Sequence, residues 1–164
     1  MRNFLITAGL AGAILLPAAA AQRPANVQTR EVKYGVNASN LTGFVAWDAN
    51  QTAARPGVLV VHEWWGHDEH ARNQAKRLAE AGYVAMALDM YGDGKHADHP
   101  DDAQKFATEA TKDPAMVTAR FNAARSVLIG DKNVDKSRIA AIGYCFGGGI
   151  VLNMARAGDR KSVV

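Results

Sequence analysis

Three short apolar runs, and the helically spaced stretches that follow them, set the pattern of residues 31–158. Gly57-Val58-Leu59-Val60-Val61-His62, Tyr83 to Leu88 and Arg138 to Gly143 are near-continuous in apolar side chains. Runs of this length predict strands buried on both faces. Ahead of them, Glu31 to Tyr34 and Leu41 to Trp47 flank an Asn/Gly/Ser turn and predict an antiparallel pair. Asp68 to Ala81 carries Ala71, Ala75, Leu78 and Ala79 at helical spacing, with Gly82 as its stop. Asp101 to Thr111, Pro114 to Leu128 (proline near its first turn) and Gly148 to Ala157 predict three more helices. Asp89 to Pro100, rich in Gly, Asp and His, predicts a loop. Strands alternating with helices imply parallel crossovers, hence an α/β fold with a mostly parallel sheet flanked by helices.

The N-terminus does not fit this pattern. A positive start, Met1-Arg2-Asn3, is followed by the apolar run Phe4 to Leu16 and the small residues Ala18 to Ala21. That is the layout of a secretory signal peptide, with an apolar core too short to cross a bilayer. Residues 1–21 are therefore expected to be a signal, 22–30 a polar linker and 31–158 a single domain. The mature protein is expected to be exported to the periplasm, with no stable membrane anchor after cleavage. The formal charge of +3 over 164 residues loses Arg2 with the signal. The remaining basic residues are scattered among acidic ones, without the stripe that nucleic-acid binding requires. A single cysteine forms no internal disulfide, so the thiol is either sheltered or kept for its chemistry.

That thiol lies in Gly143-Tyr144-Cys145-Phe146-Gly147, between the third apolar run and the last helix. G-x-C-x-G at a strand-to-helix junction is the spacing of a nucleophile elbow. The central residue sits on a strained turn, and the flanking glycines let neighbouring backbone pass close by. The following helix directs its N-terminus at the thiol, which favours the thiolate. Cys145 is thus the candidate nucleophile, with Gly143 and Gly147 as the elbow glycines. The developing oxyanion needs donors, for which the candidates are the backbone N–H of Phe146 and that of Trp64, just after the first buried strand. All five histidines lie between His62 and His99. His62-Glu63 followed by His67 has one residue too many for a helical zinc motif, and His67/His70 and His96/His99 fall in polar segments. These are expected to be solvated or loop histidines. No metal and no cofactor are implied.

The stretches GVLVVHEWWG, RLAEAGYVAMALDMYGDGK and IAAIGYCFGG together resemble the dienelactone hydrolase (carboxymethylenebutenolidase-like) family over about Glu31 to Gly158. The resemblance implies an α/β-hydrolase fold, a small-molecule ester or lactone substrate and Cys145 as nucleophile. It also implies that Glu63 is the glutamate that helps produce the thiolate when substrate arrives. A carboxylate beside a thiol otherwise opposes ionisation, so Glu63 suits a switched proton acceptor. The chain departs from the family in the loop after Asp89-Met90-Tyr91. Gly92, Asp93, Gly94 and Lys95 follow, where an arginine would hold the substrate carboxylate, and Lys95 replaces it only in part. In this fold the triad runs nucleophile, acid, histidine. After Cys145 the chain has one acid, Asp159, and no histidine. Asp159 to Val164 reads as a non-native, adapter-derived tail, with the native chain expected to continue past Gly158. The 164-residue product is accordingly expected to be inactive. The competing reading is a non-catalytic protein of the same fold that binds a ligand or partner; completion of the triad separates the two.

Overall fold

A computed structural model describes residues 24–158. The expected signal peptide and the six-residue tail lie outside the described residues. The element order is β1 (Val27–Val36), β2 (Ser39–Asp48), β3 (Arg55–Val61), α1 (Glu69–Glu80), β4 (Val84–Leu88), α2 (Pro100–Thr111), α3 (Pro114–Ile129), β5 (Val134–Gly143) and α4 (Phe146–Arg156). The strands form one sheet in the order β1-β2-β4-β3-β5. β4, β3 and β5 run parallel, and the β1–β2 hairpin joins antiparallel through β4.

The apolar runs are continuous because both faces of the central strands are covered. Leu59 and Val61 of β3, with Val84, Met86 and Leu88 of β4, face a core built with Val117, Phe121, Ala124 and Leu128 of α3 and Ile150, Val151 and Met154 of α4. The alternate residues Val58, Val60, Ala85 and Ala87 face Ala71, Ala75 and Ala79 of α1. Small side chains on both sides of that second interface let α1 lie close to the sheet. Each fully buried Leu, Val or Met stabilises the fold by about 1.5–3 kcal/mol relative to exposure. The ends of α1 are fixed locally: the Asp68 carboxylate accepts the Ala71 N–H at 3.1 Å, and Gly82 leaves the helix at φ 95°.

The boundaries of several elements differ from the sequence reading. β1 begins at Val27, so the last four residues of the expected linker are strand, paired from Val27↔Asp48 to Arg30↔Val45. They lie on a sheet edge, where largely exposed side chains leave no apolar signature. β5 begins at Val134 rather than Arg138, because Val134 and Asp135 pair with Arg55 and Pro56 ahead of a register shift, after which the regular ladder starts at Gly57↔Ile139. α4 begins directly after Cys145, at Phe146.

Candidate active site

The G-x-C-x-G segment forms a tight corner between β5 and α4. Cys145 is the N-cap of α4, with φ 51° and ψ −113°. Backbone with positive φ is unfavourable for a residue with a Cβ and persists only where its surroundings impose it. Those surroundings are backbone. A Cβ on Gly143 would stand 2.3 Å from the carbonyl carbon and oxygen of Gly147. A Cβ on Gly147 would stand 2.4 Å from the Val61 carbonyl oxygen and 2.6 Å from that of His62. Gly143 therefore lets the first turn of α4 fold back onto the end of β5, and Gly147 seats that turn against the C-terminal end of β3. Cys145 is exposed and its side chain does not cap the helix. The thiol thus stands at a helix N-terminus, where negative charge is favoured.

The loop after β3 faces this corner. Glu63, Trp64 and Trp65 are half-buried. The Glu63 carbonyl accepts from the His62 Nδ1 at 2.5 Å and from the Gly66 N–H at 3.2 Å. The Trp64 carbonyl accepts the Tyr91 hydroxyl at 2.9 Å. Among the described residues, no protein acceptor takes the N–H of Trp64 or of Phe146. Further along, the His67 N–H donates to the Lys95 carbonyl at 3.0 Å and the Ala97 N–H to the Trp65 carbonyl at 2.8 Å. The loops after β3 and β4 are thereby stitched together.

Asp89 organises the second of these loops. Its buried carboxylate accepts four backbone N–H groups, those of Tyr91, Gly92, Gly94 and Thr42, at 2.7–3.1 Å. This turn sets the Tyr91 ring against Phe146, with centroids 5.4 Å apart, and against His62 at 4.6 Å. Burial raises the Tyr91 hydroxyl above its ordinary range, and the charge of Cys145 adds to the rise, so the phenol lies within electrostatic reach of the thiol. Beside Tyr91 a cavity of about 200 Å³ is lined by Lys95, Phe106, Glu109 and Arg120. Arg120 was not anticipated. It comes from α3, and its guanidinium donates to the Met90 carbonyl at 2.5 Å. Its sequence signal is a cation among Val117, Phe121, Ala124 and Leu128, the core-facing positions of that helix.

His62, which closes the buried run from Gly57, is buried as that run implies, whereas His67 is a loop residue as expected but is not solvated. His62 and His67 are each only 1% exposed, covered by the loops at the strand ends. Burial holds the His62 imidazole below the usual histidine range and lowers His67 to about 4. His70, His96 and His99 are exposed as expected. The structure thus brings Cys145, Phe146, Gly143 and Gly147 together with the Glu63–Trp64 loop, and places Lys95 at the neighbouring cavity. From Phe146 to Gly158 the described chain carries no histidine and no carboxylate.

A parallel-centred sheet flanked by helices, with a strained corner after one strand and unengaged N–H groups beside it, defines the α/β-hydrolase fold. The Dienelactone hydrolase family profile matches residues 41–164, and the chain belongs to that family. Protein usf of Aquifex pyrophilus is 33% identical over 140 residues, a match covering 81% of this chain and 57% of that protein. The solved structure m3DLH is 38% identical with a TM-score of 0.76, over 80% of this chain and 55% of that one. A dienelactone hydrolase-like promiscuous phosphotriesterase from metagenomic libraries is 37% identical, also with a TM-score of 0.76 and the same coverage. The chain therefore spans little more than half the length of each of these three relatives.

Proposed function

We propose that the protein hydrolyses carboxylic esters or lactones through a thioester at Cys145. The thiol proton passes to Glu63 as substrate enters, and sulfur attacks the carbonyl carbon. The Phe146 and Trp64 N–H groups hold the oxyanion while the tetrahedral intermediate collapses, breaking the C–O bond. The departing alkoxide takes a proton from a histidine. Water, deprotonated by that histidine, then cleaves the thioester, and the sulfur leaves as thiolate and takes back the proton held on Glu63, restoring the thiol. We place this histidine and its carboxylate partner in the part of the fold that the longer relatives have and this chain does not span. The observation that carries the reading is the strained, exposed Cys145 at the N-terminus of α4, seated by Gly147 against β3.

The cavity beside Tyr91 bears on the substrate. Lys95, from the loop after Tyr91, and Arg120, from α3, bring two cations to its lining, beside the carboxylate of Glu109. This favours an ester or lactone with an anionic group. Export remains our reading for the mature protein, and N-terminal sequencing of periplasmic material checks it.

The test is to incubate the full-length gene product with an activated ester, quench in acid and locate the acyl group by peptide mass spectrometry. Acylation at Cys145, with turnover abolished in Cys145→Ala, is the expected result. Turnover surviving in Cys145→Ala overturns the nucleophile assignment. Binding without turnover in the wild type would instead mark a non-catalytic ligand-binding protein.

A further inference from the structure

His62 has a place in the site that the nucleophile reading does not use. Its ring is buried and lies parallel to Phe146, with centroids 5.8 Å apart and an interplanar angle of 9°. Both ring nitrogens are engaged. The Met90 N–H donates to Nε2 at 3.2 Å, and an amide N–H can only donate, so Nε2 is the unprotonated nitrogen. The proton of the neutral ring therefore sits on Nδ1, which donates to the Glu63 carbonyl at 2.5 Å. Burial keeps the ring neutral, which is the state this pair of bonds requires.

The Glu63 carbonyl belongs to the same peptide unit as the Trp64 N–H. The unit is trans, as there are no cis bonds among the described residues, so its C=O and N–H point in opposite directions. A donor gripping the carbonyl fixes the plane of the unit and hence the direction of the N–H. It also polarises the amide, strengthening that N–H as a donor. Tyr91 holds the next carbonyl, that of Trp64, so the loop is gripped at two successive units.

We propose that His62 is a positioning residue that aims and polarises the Trp64 N–H toward the oxyanion. The proposal rests on the hydrolase reading above. His62 bonds Glu63 through Nδ1 and the β4 loop through Nε2, and so locks the oxyanion loop to the turn that carries Tyr91. The Gly66 N–H also reaches the Glu63 carbonyl, so loss of His62 loosens the peptide unit without freeing it.

Three variants of the full-length gene product separate this role from simple packing. His62→Phe keeps a ring against Phe146 and Tyr91 but has no donor. His62→Asn places an amide donor near the Nδ1 position. His62→Gln keeps a polar group near Nε2 and loses the Nδ1 donor. Steady-state hydrolysis of a neutral p-nitrophenyl ester is measured for each, together with its thermal melt. The Phe and Gln variants are expected to lose about tenfold in kcat with KM little changed, less than the roughly 10²–10³-fold for deleting an oxyanion donor. The Asn variant is expected to retain most of kcat. Wild-type kcat in the Phe variant with a loss in Asn reduces His62 to a packing residue and overturns the proposal. If the variants do not fold, ¹⁵N-imidazole NMR of the wild type decides it. A proton on Nδ1 is expected, and a proton on Nε2 overturns the role. Cys145→Ala, run alongside, tests the nucleophile: turnover surviving there defeats the hydrolase mechanism, whatever the His62 series shows.

Discussion

Replacing Gly147 with alanine tests whether the corner at Cys145 is held by the close approach of two backbones. The new Cβ would lie 2.4 Å from the Val61 carbonyl oxygen and 2.6 Å from that of His62. Ordinary contact begins near 3.4 Å, so roughly 1 Å must open between the first turn of α4 and the end of β3. Neither side yields easily. Val61 is paired with Leu88 on one side and Gly143 on the other, and the helix is anchored by Ile150, Val151 and Met154. Overpacking of this kind costs about 1–3 kcal/mol, and two backbone obstacles place Gly147→Ala toward the upper end. A displacement of ~1 Å at reacting groups costs on the order of 10²-fold in rate. Gly149, two residues on, is the internal control. Nothing lies within 4 Å of a Cβ there, so Gly149→Ala should stabilise the helix by about 0.5–1 kcal/mol. Urea midpoints at unchanged m-value, with ester hydrolysis measured on the same samples, read both effects. Gly147→Ala unfolding at or above the wild-type midpoint with native turnover would refute the reasoning, since no space exists for its methyl group.

Three further outcomes are expected. Backbone strain at Cys145, of order 1–3 kcal/mol, should make Cys145→Gly more stable than Cys145→Ala by about 1 kcal/mol; equal urea midpoints would show the corner to be unstrained. His67 has a folded pKa of about 4 against an ordinary 6.5, so between these values the unfolded chain binds the extra proton. Its contribution is complete above about pH 6.5, falls as the pH drops toward 4 and totals about 3 kcal/mol. Urea melts at pH 7.5 and 4.5 should show that loss in the wild type and a shallower one in His67→Phe; identical slopes refute it. Asp89→Asn puts an amide among the four N–H donors that the carboxylate accepts, leaving some unpaired at about 1–3 kcal/mol each. An Asn variant within 0.5 kcal/mol of the wild type, on the order of an ordinary surface change, would show that the turn holds without Asp89.

The strands β3 and β4, helix α1 with its Asp68 cap and Gly82 stop, and the position of the Cys145 corner were all legible in the chain. Each is written locally: continuous apolar runs, a 3.6-residue period, glycines at fixed offsets. What the chain alone does not display is whatever depends on residues brought together from far apart. Val27 to Arg30 hold a single apolar residue, too few for a strand pattern, and are strand because β2 offers a partner for them. His67 sits in a polar stretch of the sequence, yet the loops folded over the strand ends bury it. Arg120 is a cation in an apolar helical stripe, and its meaning emerges when α3 packs beside the Met90 carbonyl. Local pattern determined the elements and the candidate nucleophile, because propensity and periodicity act over a few residues. Tertiary structure decided which peptide N–H groups stand free, which histidines are neutral and which cations share a cavity with Tyr91. Those properties follow from burial and hydrogen-bond partners, and both arise only when separate segments meet.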